Sequence, residues 1–335
     1  MKAIVTDGVY ANLSEMLHAL QIKDRQIPEL KSDQLLIQIQ FANVNPSDIA
    51  FLRGSYNVTK DFPAVPGFEA CGIVIKTSAG LEKYQGQLVS CFNQDNSDGT
   101  WAEFTVVNVN QCLLLNKNFP VEQAASFFIN PFTAYGLVEL AIEKKAKCII
   151  QNAAAGQVGK IVRFLAAMHG IKVINIVRRP QHIEKLINEG EEYVLNSRDK
   201  KFSEQLRELI SLLNPTIAFD AVAGDFTSIL FKEMPVESDI VVYGGLSGQN
   251  INTDVLNLIF EDKTIKGFNL NNWLKKSGQK VMIETSEFFQ ELIISGKIKT
   301  EIQRIVYFNE IYDGLYQYLT KMSDGKVLIC PKMKN

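Results

Sequence analysis

The stretch "IIQNAAAGQVGK", Ile149 to Lys160, restricts the fold of this chain more than any other. A Gly-rich turn carries information only when a strand leads into it and a helix leads out. Both patterns are present. "KCIIQ" (147–151) is a short apolar run suited to a buried parallel strand. After the turn, Val158, Ile161, Val162, Leu165 and Ala166 recur at helical spacing and share one face. Gly170 is placed to end that helix.

The alternation then continues. "IKVINIV" (171–177) reads as a second buried strand, and Gln181 to Glu189 as a helix closed by Gly190. "YVLN" is a short strand. Ser203 to Leu213 is helical, with Leu206, Leu209, Ile210 and Leu213 on one side. "IAFDAVA" is a strand, Asp225 to Met234 a helix, "DIVVYGGL" a strand and "TIKGFNL" (264–270) the last strand. Strands alternating with helices predict a doubly wound α/β domain with a parallel sheet covered on both faces. The turn lies on its first βα connection.

The frame of the turn is Ala154-Ala155-Gly156-Gln157-Val158-Gly159. Gly156 stands where the backbone must come close to a pyrophosphate, and Gly159 where helix and strand pack tightly. Ala154 replaces the usual first glycine, which a tight turn tolerates while φ stays negative. An ordinary strand–helix turn is the alternative; the flanking pattern favours a dinucleotide. An NAD site usually places a carboxylate after the second strand, for the ribose hydroxyls. Here that strand ends "INIVRRP", so Arg178 and Arg179 stand there. Guanidinium groups suit a 2′-phosphate, so NADPH is the expected cofactor. A solvated surface pair is the competing reading.

The chain's 335 residues favour two domains. Residues 1 to about 120 lack the alternation and show many short strand-like runs between turn residues, which predicts a mainly antiparallel β-domain. Among these runs are "LLIQIQFANVN", "EACGIVIKT", "QLVSCF" and "GTWAEFTVVNV". Helical pattern resumes from Val121 to Glu139, and "KNFP" (117–120) marks the crossover. The segment "QRIVYFNEIYDGLYQYLTKMSDGKVLIC" reads as a helix and a strand that return to the first domain. The domain expectation is therefore 1–121 with 273–335, and 122–272.

A net charge of −2 argues against a general nucleic-acid or membrane-surface binder. No apolar run approaches the roughly 20 residues that span a bilayer. "MKAIVTDGVY" shows no signal or transit pattern, so a cytoplasmic protein is expected. The five cysteines (Cys71, Cys91, Cys112, Cys148, Cys330) are scattered without a CxxC pair. They read as buried, reduced thiols rather than a disulfide framework or a zinc lobe.

Several stretches resemble the medium-chain dehydrogenase/reductase superfamily along nearly the whole chain. They are "NVNPSDIAFLRGSY" (43–56), "FPAVPGFEACGIV" (62–74), "GTWAEF" (99–104), "INPFTAYGLVE" (129–139), the Gly-rich turn and "VVYGGL" (241–246). With "INIVRRP" and "GFNLNNW" added, the chain is most similar to the zinc-free quinone oxidoreductase and trans-2-enoyl thioester reductase branch. The resemblance implies a GroES-like catalytic domain built from both chain ends, a Rossmann domain between them, and a homodimer. Zinc-dependent relatives have a cysteine at the position of Asn45 and a histidine at the position of Phe68. The chain's three histidines (His18, His169, His182) lie outside these stretches. No metal is therefore expected. His169 and His182 read as surface residues.

Without zinc as a Lewis acid, hydride addition to an activated C=C is the less demanding chemistry. The substrate carbonyl takes up charge as an enolate, and the protein supplies hydrogen-bond donors and a proton. The resemblance gives that role to Tyr56; a tyrosine that merely lines the pocket is the alternative. It implies cofactor contacts at Asn45, Asn130, Thr133, Ala155, Gly156, Gln157, Val158, Gly159, Arg178 and Arg179. Tyr243, Gly244, Gly245, Leu246, Phe268, Asn269, Leu270 and Lys326 would close over the cofactor. "VRRP" looks one residue shorter than its counterparts, which leaves open which arginine meets phosphate. Trp273 resembles a substrate-pocket tryptophan, with plain packing as the alternative. Arg53, Lys60, Lys275 and Lys276 are candidate contacts for a thioester carrier.

The expected activity is NADPH-dependent, zinc-independent reduction of an α,β-unsaturated carbonyl, a 2-enoyl thioester first. An NADPH:quinone oxidoreductase is the second reading and a non-catalytic NADPH-binding sensor the third. The partner is a small-molecule substrate.

Overall fold

The computed structural model describes residues 1–333. Two compact units emerge: Met1–Asn130 together with the chain from Gln279 onward, and Pro131–Gly278.

The first unit and the joining segments carry β1 (Lys2–Val5), α1 (Leu13–His18), β2 (Gln21–Asp24), β3 (Gln34–Asn43), α2 (Pro46–Leu52), β4 (Glu69–Thr77), β5 (Leu88–Phe92), β6 (Phe104–Asn108), β7 (Cys112–Leu114), α3 (Val121–Ala124) and α4 (Ile129–Glu143). Then follow β8 (Cys148–Gln151), α5 (Gln157–Met168), β9 (Lys172–Val177), α6 (Gln181–Asn188), β10 (Tyr193–Asn196), α7 (Phe202–Leu213), β11 (Ile217–Asp220), α8 (Asp225–Glu233), β12 (Asp239–Val242), α9 (Val255–Phe260) and β13 (Thr264–Gly267). The chain ends with α10 (Leu270–Ile294), broken at Gly278, then β14 (Ile302–Tyr307), α11 (Ile311–Thr320) and β15 (Lys326–Cys330).

The sheet of the second unit runs β10-β9-β8-β11-β12-β13, with every pair parallel. From the first strand of the alternation this is order 3-2-1-4-5-6, the doubly wound arrangement. The apolar runs read from the sequence form its middle: Ile150, Ile174, Ile176, Ala218 and Ile240 pack with Leu206, Ile210, Leu230 and Phe231 from the flanking helices. Gly170 has φ 65 and ends α5 in the left-handed region that favours glycine. The strand order reverses between β8 and β11, and such a switch point opens a crevice at the strands' carboxyl ends.

In the first unit, β14-β15-β3-β4-β5-β7 form one sheet, with β6 also paired to β3. Only β14–β15 is parallel there; β15 lies antiparallel to β3, which ties the last strand to the first domain's core. The helical stretch expected from Val121 to Glu139 divides into α3 and α4.

Candidate active site

The Gly-rich turn forms between β8 and α5. Gly156 is the N-cap of α5 and has no side chain to satisfy the helix's first N–H groups. A Cβ at Gly156 would meet only the Ala153 carbonyl oxygen, at 3.1 Å. The exposed amino end of a helix, with its dipole, is the natural seat of a phosphate. Gly159 is the opposite case. A Cβ there would lie 2.7 Å from the Ala154 carbonyl oxygen and 2.8 Å from its Cα, so helix and turn are in direct backbone contact. The residue that takes the unusual conformation is Ala153, at φ 49, and not Ala154, which stays out of the left-handed region. Ala155, Gln157 and Val158 are half-buried around the turn.

At the switch point, the end of β8 is tied to the end of β11. Asn152 donates to Asp220 and accepts from the Ala221 N–H at 2.8 Å. Asp220 is fully buried and also accepts from the Val222 and Ala223 N–H groups and the Thr227 hydroxyl. This carboxylate shapes the loop beside "VVYGGL". Tyr243 follows β12, and burial, then the charge of Asp220, pushes its phenol up. Gly244 lies against the Ala221 carbonyl, where a Cβ would come within 2.7 Å; Gly245 is open and Leu246 is exposed. Arg178 is exposed and Arg179 half-buried, immediately after β9.

Phe268 packs on Gly136, and Asn269 accepts from the Asn272 N–H at the start of α10, which Leu270 begins. Trp273 is buried: its indole donates to Glu139 at 2.7 Å, and its ring meets Phe132 and Tyr135 edge-on. Asn130 and Thr133 are both buried, one helical turn apart on α4. The Asn130 Nδ2 has no hydrogen-bond partner. An orphaned buried amide is costly and rare. It fits a ligand with a polar group of its own, as the bare amino end of α5 fits a phosphate.

In the first unit a buried polar cluster forms around Asn45, one of the positions that the resemblance assigns to a metal ligand in zinc-dependent relatives. Asn45 N-caps α2; its Nδ2 donates to Glu69 at 2.8 Å, and its Oδ1 accepts from Asn43 at 3.2 Å and from the Lys326 ammonium at 2.5 Å. Glu69 also accepts from Asn43 and from the N–H groups of Phe128 and Ile129. Those four donors occupy the acceptor sites of its carboxylate. Amides, a phenyl ring at Phe68 and a saturated carboxylate are not a zinc donor set. Among the described residues no group of three or more His, Cys, Asp or Glu could hold a metal ion. Asp48 accepts from the N–H groups of Asn45 and Phe68, and burial pushes its carboxyl up to about 7. Burial likewise lowers the Lys326 ammonium, against the pull of Glu69 and Asp48.

Tyr56 follows α2, with its ring 5.5 Å from that of Phe68. Its phenol oxygen accepts from Gln94 Nε2 at 2.5 Å. That leaves the O–H free to donate to another acceptor. Burial raises its pKa, with Gln94 opposing, so the group stays a neutral donor at pH 7. Gln94 carried no signal in the sequence, because "NQDNSDG" reads simply as a turn.

Two expectations need correction. Lys60 is no free contact for a carrier: it is buried, donates to the carbonyls of Asp95 and Ser97, and lies over the Phe68 ring. His182 is buried in α6 rather than at the surface, while His169 is exposed. Arg53, Lys275 and Lys276 are exposed.

Comparison with known proteins agrees with this architecture. Residues 31–117 match the alcohol dehydrogenase GroES-like domain, and residues 158–289 match the zinc-binding dehydrogenase domain. A mitochondrial enoyl-[acyl-carrier-protein] reductase of Caenorhabditis elegans is 32% identical, over 88% of this chain and 86% of that one. The corresponding protein of Rattus norvegicus is 29% identical, over 85% and 76%. A solved structure from Mesorhizobium loti, provisionally assigned as an NADPH:quinone reductase, is 28% identical with a TM-score of 0.91, over 99% of this chain and 98% of that one. The chain is an oxidoreductase and belongs to the medium-chain dehydrogenase/reductase superfamily, in its zinc-free quinone oxidoreductase and enoyl thioester reductase branch.

Proposed function

We propose that this enzyme uses NADPH to reduce the C=C bond of an α,β-unsaturated carbonyl, with a 2-enoyl thioester as substrate. The observation that carries the proposal is the Tyr56 phenol, a neutral donor whose oxygen is already held by Gln94. Bound NADPH supplies the hydride. Tyr56 donates to the carbonyl oxygen on which negative charge develops, and serves as the proton source. Neutral donors aimed at a developing oxyanion replace the Lewis acid that this donor set cannot hold.

For the cofactor, Ala155 to Gly159 take the pyrophosphate, and Asn130 and Thr133 the nicotinamide end. Arg178 and Arg179 take the 2′-phosphate, since no carboxylate follows β9 to repel it. Tyr243 to Leu246, Phe268 to Leu270, Asn45 and Lys326 complete the set. The Asn45 and Lys326 side chains are already bonded to each other, so they act on the cofactor's position more than on its atoms. Trp273 borders the substrate by its ring, its N–H being taken by Glu139.

The test is loss of NADPH absorbance with crotonyl-CoA and, in parallel, with benzoquinone, for wild type and Tyr56→Phe. Enoyl turnover that falls roughly 100-fold or more in the variant supports the reading. Turnover of quinone alone, indifferent to the variant, replaces it with the quinone reductase that the Mesorhizobium structure suggests. NADH binding as tight as NADPH, or undiminished NADPH binding in Arg178→Ala/Arg179→Ala, removes the cofactor assignment.

A homodimer is proposed through the open edge of the second unit's sheet. β13 is an edge strand, and beside it in sequence α9 exposes Val255, Leu256, Ile259 and Phe260, the last 78% exposed. Edge strands and apolar patches of this kind are normally covered. A second copy pairs both features by one two-fold axis. Phe260→Glu is expected to give a monomer in sedimentation; an unchanged mass rejects this face. No helix among the described residues is long and apolar enough to cross a membrane. The two enoyl reductases above are named mitochondrial, and cell fractionation decides between that compartment and the cytoplasm.

A further inference from the structure

Arg163 lies on α5, one turn beyond the Gly-rich turn, and is only 6% exposed. A buried guanidinium in a helix of a parallel α/β core is uncommon and must be paired. Its Nη1 donates to the Ala154 carbonyl. Its Nη2 meets Glu189 at 2.6 Å and its Nε meets Glu191 at 2.8 Å. The network does not stop there. Glu191 accepts from Asn175 Nδ2 at 2.8 Å, and Asn175 Oδ1 accepts from Gln151 Nε2, also at 2.8 Å. Gln151 Nε2 donates as well to the Gly159 carbonyl at 3.1 Å. One polar chain therefore starts at the first residue of the Ala154–Gly159 frame and returns to its last. It runs through the end of β8, the middle of β9 and the loop after α6.

We infer that Arg163, held by Glu189 and Glu191, is a positioning residue that fixes the phosphate-binding turn. The inference rests on the NADPH assignment above. Its physical basis is that the frame begins with Ala154 rather than glycine and follows Ala153 in a left-handed conformation. Such a turn has a conformational cost that the surroundings must hold in place. A buried ion pair is weak evidence for stability, since apolar packing often does as well. What the guanidinium supplies is direction: its bonds to Glu189 and Glu191 fix the guanidinium, and its third bond holds the Ala154 carbonyl and thereby aims the N–H groups of Ala155 to Val158. Arg163 touches neither cofactor nor substrate and acts only through the turn.

The test compares Arg163→Met, Arg163→Lys and the charge-neutral pair Arg163→Met/Glu191→Gln in the full-length enzyme. Each is assayed for NADPH affinity by fluorescence titration, for Tm, and for kcat and KM. Arg163→Met leaves Glu189 and the more buried Glu191 without their cation, so both Tm and affinity fall. The neutral pair removes the more buried of those two charges while keeping an acceptor for Asn175, so most of the Tm recovers. Affinity does not: the Kd for NADPH and for 2′-phospho-ADP-ribose stays about tenfold raised, KM rises more than kcat falls, and Arg163→Lys recovers part of the loss. Affinity that returns together with Tm in the neutral pair makes Arg163 a purely structural residue and overturns the inference. So does unchanged affinity in Arg163→Met. A wild-type protein that binds neither NADPH nor NADH refutes the cofactor assignment itself, and this inference with it.

Discussion

Asp48 gives the sharpest physical test of the buried cluster. Its carboxyl moves from an ordinary 3.8 to about 7, chiefly by burial, with Glu69 raising it further and Lys326 and two backbone N–H groups opposing. A raised pKa means that the folded state holds a proton that the unfolded chain releases. Stability from this group is complete below the unfolded value, and it is lost as pH rises through the folded one. The gap corresponds to ~4 kcal/mol lost between about pH 4 and pH 8. Asp48→Asn cannot titrate, so the difference between variant and wild type isolates this dependence. The variant has a fixed cost, because an amide has one acceptor oxygen for the N–H groups of Asn45 and Phe68. That cost is ~1–3 kcal/mol at every pH. The variant is then less stable than wild type in acid and as stable or more so at about pH 8. Urea unfolding at several pH values measures this. The chain has two tryptophans, and Trp273→Phe in both proteins leaves Trp101, fully buried in the unit that carries Asp48, as the reporter. A difference that is flat with pH refutes the reasoning. A slope of the opposite sign would mean that Lys326 and the two N–H groups hold Asp48 ionised despite its burial.

Gly159→Ala gains ~1 kcal/mol of helix propensity but brings a methyl within 3.0 Å of three backbone atoms of Ala154. The overpacking costs ~1–3 kcal/mol, so a lower Tm and weaker NADPH binding are expected, and a raised Tm would contradict the close contact. Gln94→Leu removes the donor that holds the Tyr56 oxygen. Enoyl-thioester kcat should fall roughly tenfold, with little change in KM, and its alkaline pH limit should move up. An unchanged kcat would separate Tyr56 from Gln94.

The parts of this molecule that can be read from sequence are those in which neighbours in the chain are neighbours in space. The strands β8 to β12 are short apolar runs because both faces of a parallel sheet are covered, and each is announced by the helix beside it. The α3–α4 boundary is different. In "AASFFINPF" the one local signal is Asn130-Pro131, inside the first turn of α4, and the start of the helix is held by Glu69, whose carboxylate takes the N–H groups of Phe128 and Ile129 from about 60 residues away. α9 was invisible for the opposite reason: a helix whose apolar side chains face outward has no burial pattern to detect. The same division runs through the candidate site. The turn is local, so Gly156 and Gly159 show in the sequence with their separate tasks. Tyr56 shows only by resemblance, and Gln94, 38 residues away, not at all. Arg163 sits among Val162, Phe164 and Leu165, and its partners in "NEGEEY" look like solvated surface charge. Buried charges escape sequence reading because burial is decided by what packs over them, and their cost is met by partners that the spacing does not mark. Lys60, Arg163 and Lys326 are all such residues, each below a tenth exposed. Of these, Arg163 and Lys326 join segments that a cofactor site would have to hold still, which is why those two are the ones to change first.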